Sequence, residues 1–185
     1  MVPPYQTVWT ENSSQMDRSP SKIRLLDCAL QVFRTKGYAA TTVDDICAAA
    51  GVTKGSFFHH FKGKEELALE SIAYWNDVTG QLFATAPYQD IGDPRERLLA
   101  YIDFRAALIR GTVPDFTCLL GTLVQDTFDT NPALREACDA GIRHHAMDVA
   151  KTVMAAKAMY FANETTARGR SPEGRARRGR HLDRV

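Results

Sequence analysis

From residue 19 to residue 61 the apolar positions recur at a helical period and are cut twice by turn signals. Ile23, Leu26, Leu30 and Phe33 lie on one stripe of a helix expected over 19–35. Ser19-Pro20 opens it, a hydroxyl cap followed by a residue whose missing N–H is no loss in the first turn. Gly37 closes it, and Tyr38 seals it against the next helix. Thr42 with Asp45 three residues on is a capping box, so a second helix is expected over 42–50, carrying Ile46 and the Ala48-Ala49-Ala50 run. Gly51 suits the left-handed C-terminal position. Thr53 then caps a third helix, expected over 53–61. Two short helices joined by a glycine-centred turn make a helix-turn-helix, whose second helix enters the DNA major groove.

The pattern continues as a helical body. Leu67, Ile72, Trp75, Val78 and Leu82 stripe a long helix from Lys64 to about Phe83, with Glu65 and Glu66 placed favourably in its first turn. Residues 87–92 form a loop. Asp93-Pro94 starts a fifth helix lined by Leu98, Ile102, Ala106 and Ile109, broken by Gly111 and Pro114. An apolar segment from Phe116 to Phe128 is expected at the centre of the body. Asn131-Pro132 opens a last helix holding Leu134, Ala137, Cys138, Ile142, Val149, Val153 and Met154, fading near Phe161. The fold class is therefore all-α. Its divisions are a polar, disordered segment over 1–17, a DNA-binding head over 18–64, a helical body over 65–167 and a basic tail over 168–185.

One stretch carries more than a fold class. The spacing A-x-x-x-F-x-x-x-G-Y from Ala29, then T-V-x-x-I from Thr42, A-G-V-x-K-G-S-F-F-H-H-F from Ala50 and K-x-E-L from Lys64, resembles the DNA-binding head of the TetR family of transcriptional regulators. The resemblance covers about a quarter of the chain. It implies a homodimer that binds palindromic operator DNA and is released by a small, mostly apolar organic inducer held in the body. A helical protein-interaction or small-molecule-binding protein with a vestigial head is the alternative. Phe58 departs from the pattern, because many relatives carry tyrosine there.

The resemblance places DNA contacts at Thr53, Lys54, Gly55, Ser56, Phe58, His59 and His60. Lys54 can reach a guanine edge or a phosphate, and Gly55 admits close backbone approach. Thr42 and Lys64 stand at helix starts, where free N–H groups and a positive charge clamp phosphates. Trp75, Tyr101, Phe104, Phe116 and Cys118 are the candidate ligand contacts, each of which is equally at home as plain core. The charge distribution fits: residues 18–64 carry 8 Lys and Arg against 3 Asp, while residues 65–167 carry 8 against 15 acids. A basic head on an acidic body is what phosphate binding with a separate sensing domain needs.

The 185 residues, 44% hydrophobic and 24% charged, are enough for a buried core. No apolar run approaches the ~20 residues of a membrane span, and no signal peptide is legible, so a cytoplasmic setting is expected. Cys28, Cys47, Cys118 and Cys138 fall singly on helices and read as reduced thiols. A nucleophile–base set, a glycine-rich phosphate loop and a metal-spaced ligand cluster are missing, so neither enzyme activity nor a cofactor is expected. His59-His60 is no metal pair, since adjacent helical residues point about 100° apart. The tail after Arg168 holds seven arginines and little to bury, where the family normally closes with another amphipathic helix. A phosphate-binding arm, a truncated or frame-shifted terminus and a solvated tail all fit that composition.

Overall fold

The computed structural model describes residues 19–169, and among these every regular element is helical. In order they are α1 (Pro20–Lys36), α2 (Val43–Ala50), α3 (Lys54–His60), α4 (Lys64–Ala84), a 3₁₀ turn (Pro87–Asp90), α5 (Pro94–Ala107), the single turn α6 (Val113–Phe116), α7 (Leu119–Thr127) and α8 (Pro132–Gly169). The expectations for 1–17 and for the tail beyond residue 169 lie outside the described residues. Arg168 and Gly169 close α8, which therefore runs past Phe161 instead of fading there.

The local signals act as chemistry requires. The Ser19 hydroxyl accepts from the Lys22 N–H, and the Thr42–Asp45 box is reciprocal, with Thr42 N–H donating to Asp45 Oδ2 at 2.9 Å and Asp45 N–H to Thr42 Oγ1 at 3.1 Å. Lys36 Nζ reaches the same carboxylate at 2.6 Å, and these bonds hold Asp45 far below the usual carboxylate range. Gly51 takes φ 61° at the end of α2, a left-handed turn that swings the chain back into α3.

Leu25, Leu26, Ala29, Leu30 and Phe33 of α1 are buried against Ile46, Phe57, Phe61, Leu67 and Ile72, and the same cluster continues into Leu119, Leu123, Leu134 and Cys138. The boundary at residue 64 thus runs through one continuous core. Polar contacts reinforce the junction. Ala39 N–H donates to Asp126 Oδ2 at 3.4 Å, and the same carboxylate lies against Gly37 (φ 80°), where a Cβ would collide with it. Asn131 caps α8 with its Oδ1 while its Nδ2 donates to Glu65 Oε2 at 3.1 Å, in the first turn of α4.

Farther out, two apolar stripes turn the other way from the expectation. On α5, Ile102 is 53% exposed, and Leu99, Ala106 and Ile109 also face out, while the inner side carries Leu98, Tyr101 and Phe104. On α8, Ile142, Met147, Val153 and Met154 are exposed, whereas Val149 faces inward. The segment expected as a single central unit is split: Leu119, Leu120 and Leu123 are buried, but Phe116, Cys118 and Phe128 are exposed. Only its middle turns are covered by neighbouring helices.

Candidate nucleic-acid interface and ligand cavity

α3 is a short helix with two unlike faces. Phe57 is fully buried and Phe61, just after the helix, nearly so; their rings meet at 5.7 Å and root the helix in the core. Thr53 caps it by accepting from Ser56 N–H at 3.2 Å. Lys54, Gly55, Phe58 and His59 are exposed, and Phe58 at 56% is the largest apolar side chain on this face. Its ring stands edge-on to Phe57 at 5.1 Å, so it is braced without being covered. A Cβ at Gly55 would meet only Thr53 Oγ1 at 3.7 Å, an ordinary contact. Nothing inside the protein demands glycine there; the bare backbone serves a partner approaching from outside. Lys54 Nζ pairs with Asp44 Oδ1 of α2 at 2.8 Å, both side chains solvated, so a phosphate can take the ammonium over readily.

Three of the expected contacts are bound into the protein itself. His60 is half-buried, and its Nε2 is 2.8 Å from Ser21 Oγ and 3.4 Å from Ser19 Oγ, so it struts α3 against the start of α1. Burial, with His59 and Lys22 nearby, holds its pKa below the ordinary histidine value. Lys64 donates to Tyr38 O at 2.9 Å and Thr41 O at 2.8 Å, and its ammonium lies 4.3 Å over the Tyr38 ring. It ties down the α1–α2 turn, and burial lowers its pKa. Thr42 is exposed but shares Asp45 in the capping box.

The body holds a cavity of about 690 Å³ between α4, α5 and α8. Of the five residues expected to contact a ligand, only Tyr101 lines it. Trp75 lies under the Arg34 guanidinium at 5.2 Å, at the head–body junction. Phe104 packs behind the wall, with ring centroids 6.0 Å from Phe83 and 5.5 Å from Tyr88. Phe116 and Cys118 are on the surface, Phe116 at 41% exposure. The cavity's own residues include Asn76, Phe83, Tyr88, Arg97, His145 and Thr152, most of them polar positions whose inward turn an apolar stripe does not announce. His145 Nε2 is 3.0 Å from Tyr101 Oη, and its ring lies 4.5 Å from Phe83. Among the described residues no group of His, Cys, Asp and Glu could hold a metal ion, and no helix is long and apolar enough to cross a membrane.

Burial and the Arg105 guanidinium, then His144, hold the His145 imidazole below its ordinary value near 6.5, against a partial opposing pull from Asp148. The folded protein therefore refuses a proton that the unfolded chain accepts. Stability is complete above about pH 6.5 and falls as pH drops through the window beneath it. His60 shifts the same way for its own reasons. Melting curves between about pH 7.5 and about pH 5.5 should show this loss, and His145→Gln should remove its share. An unchanged slope in that variant would refute the assignment.

Together these features describe an all-helical protein with a helix-turn-helix head, its second helix rooted in the core and open on one face, and a cavity in the body. The family described as "Bacterial regulatory proteins, tetR family" matches residues 25–71, and the chain belongs to it. It is similar to the uncharacterized HTH-type transcriptional regulator YxaF of Bacillus subtilis (strain 168), 30% identical over 122 residues, 65% of this chain and 63% of that one. The chain thus spans a little under two thirds of this relative. The HTH-type transcriptional repressor KstR2 of Mycobacterium tuberculosis (strain ATCC 25618 / H37Rv) is 40% identical over 92 residues, 45% of this chain and 44% of its own. Among solved structures, a TetR-family regulator from Agrobacterium tumefaciens superimposes with a TM-score of 0.67 at 21% identity, covering 75% of this chain and 72% of that one. A TetR regulator from Chloroflexus aurantiacus gives 0.66 at 27% identity, with 75% and 70% covered.

Proposed function

We propose that this protein is a transcriptional repressor that binds a near-palindromic operator as a homodimer and lets go when a small organic ligand fills the body cavity. The observation that carries the reading is α3 itself: Phe57 anchors it at zero exposure while Lys54, Gly55, Phe58 and His59 stand free on the opposite side. A major groove accepts such a helix, and two copies related by a two-fold axis would read half-sites about one turn, ~34 Å, apart. Thr53 and Ser56 flank the reading face, and Thr42 and the N-terminus of α4 lie where backbone phosphates pass. In this reading His60 and Lys64 act through position more than contact, since their polar atoms are already engaged. A cytoplasmic setting goes with DNA binding and with four free cysteines.

The dimer follows from the outward stripes. Leu99, Ile102 and Ile109 on α5 and Ile142, Val153 and Met154 on α8 give each copy an apolar face that a second copy covers. The signal follows from α4, which lines the cavity with Asn76, Phe83 and Ala84 and meets the head through Lys64 and Glu65. Its tilt is the natural two-state element, and the coupling it must carry is ~1–3 kcal/mol. A gel shift on the DNA flanking its own gene, run beside sedimentation at tens of micromolar, tests the reading. A retarded band of two protomers per site is expected; a strict monomer, or no preference over random duplex, sinks it.

A further inference from the structure

We infer that the cavity is built for an organic anion with a planar apolar part, which deepens the ligand-responsive reading above and rests on it. The body as a whole is acidic, with 8 Lys and Arg against 15 Asp and Glu over residues 65–167. The cavity reverses that sign. Its charged lining residues are Arg97, Lys151 and Asp148, and Asp148 is already taken by Lys151 Nζ at 2.7 Å, with His144 Nε2 at 3.7 Å. That leaves Arg97. Its Nε donates to Ile91 O at 2.8 Å, which fixes the guanidinium plane, and among the described residues no carboxylate pairs with it. A guanidinium aimed by one bond, with its terminal N–H groups free, is a carboxylate receptor waiting for its partner.

Two further features of the walls agree with this ligand. Tyr88 and Tyr101 meet edge-to-face at 5.5 Å and Phe83 lies 6.3 Å from Tyr101, so one side offers aromatic surface to a planar group. Across from it, the Asn76 amide has no hydrogen-bond partner among the described residues, although it lines the cavity. α8 makes room for that amide with Gly141, where a Cβ would stand 2.6 Å from Asn76 Oδ1. A volume of about 690 Å³ suits a molecule of one or two rings with a polar end.

The test uses three probes of one shape, 1-naphthoate, 1-naphthamide and 1-naphthylmethylammonium, titrated calorimetrically into the full chain. Naphthoate should bind about tenfold or more tightly than the amide, and the ammonium more weakly still. R97Q should erase the preference for naphthoate while leaving amide binding and the melting temperature in place. Equal binding of all three, preference for the ammonium, or no binding by any of them would overturn the inference, and this comparison needs only the natural chain should R97Q fold poorly. Operator DNA separates the two claims. Naphthoate that binds selectively but leaves DNA affinity unchanged supports the anion site and refutes ligand-responsive release, whereas release by the amide alone refutes the anion site and keeps the responsive reading.

Discussion

Phe57→Ala is expected to abolish operator binding by unseating α3, with a loss of about 3–5 kcal/mol of stability. The ring is fully buried, touches Phe61 at 5.7 Å and braces Phe58 at 5.1 Å, so its removal opens a cavity beneath the helix that carries the reading face. Neighbours can collapse only partly, because Leu26, Leu30, Phe33 and Ile46 around it are themselves at or near zero exposure. A loss of that size is a large part of the total stability of a domain, about 5–15 kcal/mol. Denaturant titration followed by intrinsic fluorescence measures it directly. A variant that keeps its midpoint but no longer binds DNA would mean Phe57 touches DNA and is not the root of α3.

The complementary change works without touching the core. Lys54→Ala, Phe58→Ala and His59→Ala combined should lower specific operator affinity by at least about a thousandfold, since each lost base or sugar contact is worth ~1–3 kcal/mol in each half-site. All three side chains are exposed, so stability should stay within about ±0.5 kcal/mol. Non-specific binding should survive, weakened by the lost lysine charge and flatter in its salt dependence. Competition with random duplex at two salt concentrations separates these terms. Equal loss of specific and non-specific affinity would show that this face supplies charge alone.

The two variants divide the head as its sequence already does. Whether a residue there is root or reader was legible from helical phase: Phe57 and Phe61 fall four apart on the apolar side, with Lys54, Phe58 and His59 opposite. The same phase argument missed His60, because its partners are Ser19 and Ser21, some forty residues upstream. It missed Lys64 likewise, whose charge looks free in sequence and is engaged by the carbonyls of Tyr38 and Thr41. In the body it erred more widely. Ile102 and Ile109 are apolar at the right period, and so are Ile142 and Val153, yet all four face outward.

Features settled within a turn or two of the chain could be read from the residues alone. Caps at Ser19, Thr42, Thr53 and Asp93, the left-handed Gly51, and the apolar period of α1 to α4 act between residues a few positions apart, and they specify the helices and the helix-turn-helix. Which side of α5 and α8 meets a neighbour was settled by packing, because two apolar stripes on one helix are equivalent until another helix covers one of them. Packing also made the cavity. Asn76, Arg97, Tyr101 and His145 come from three helices, and their convergence depends on where those helices cross, a quantity that no local pattern in any one of them encodes.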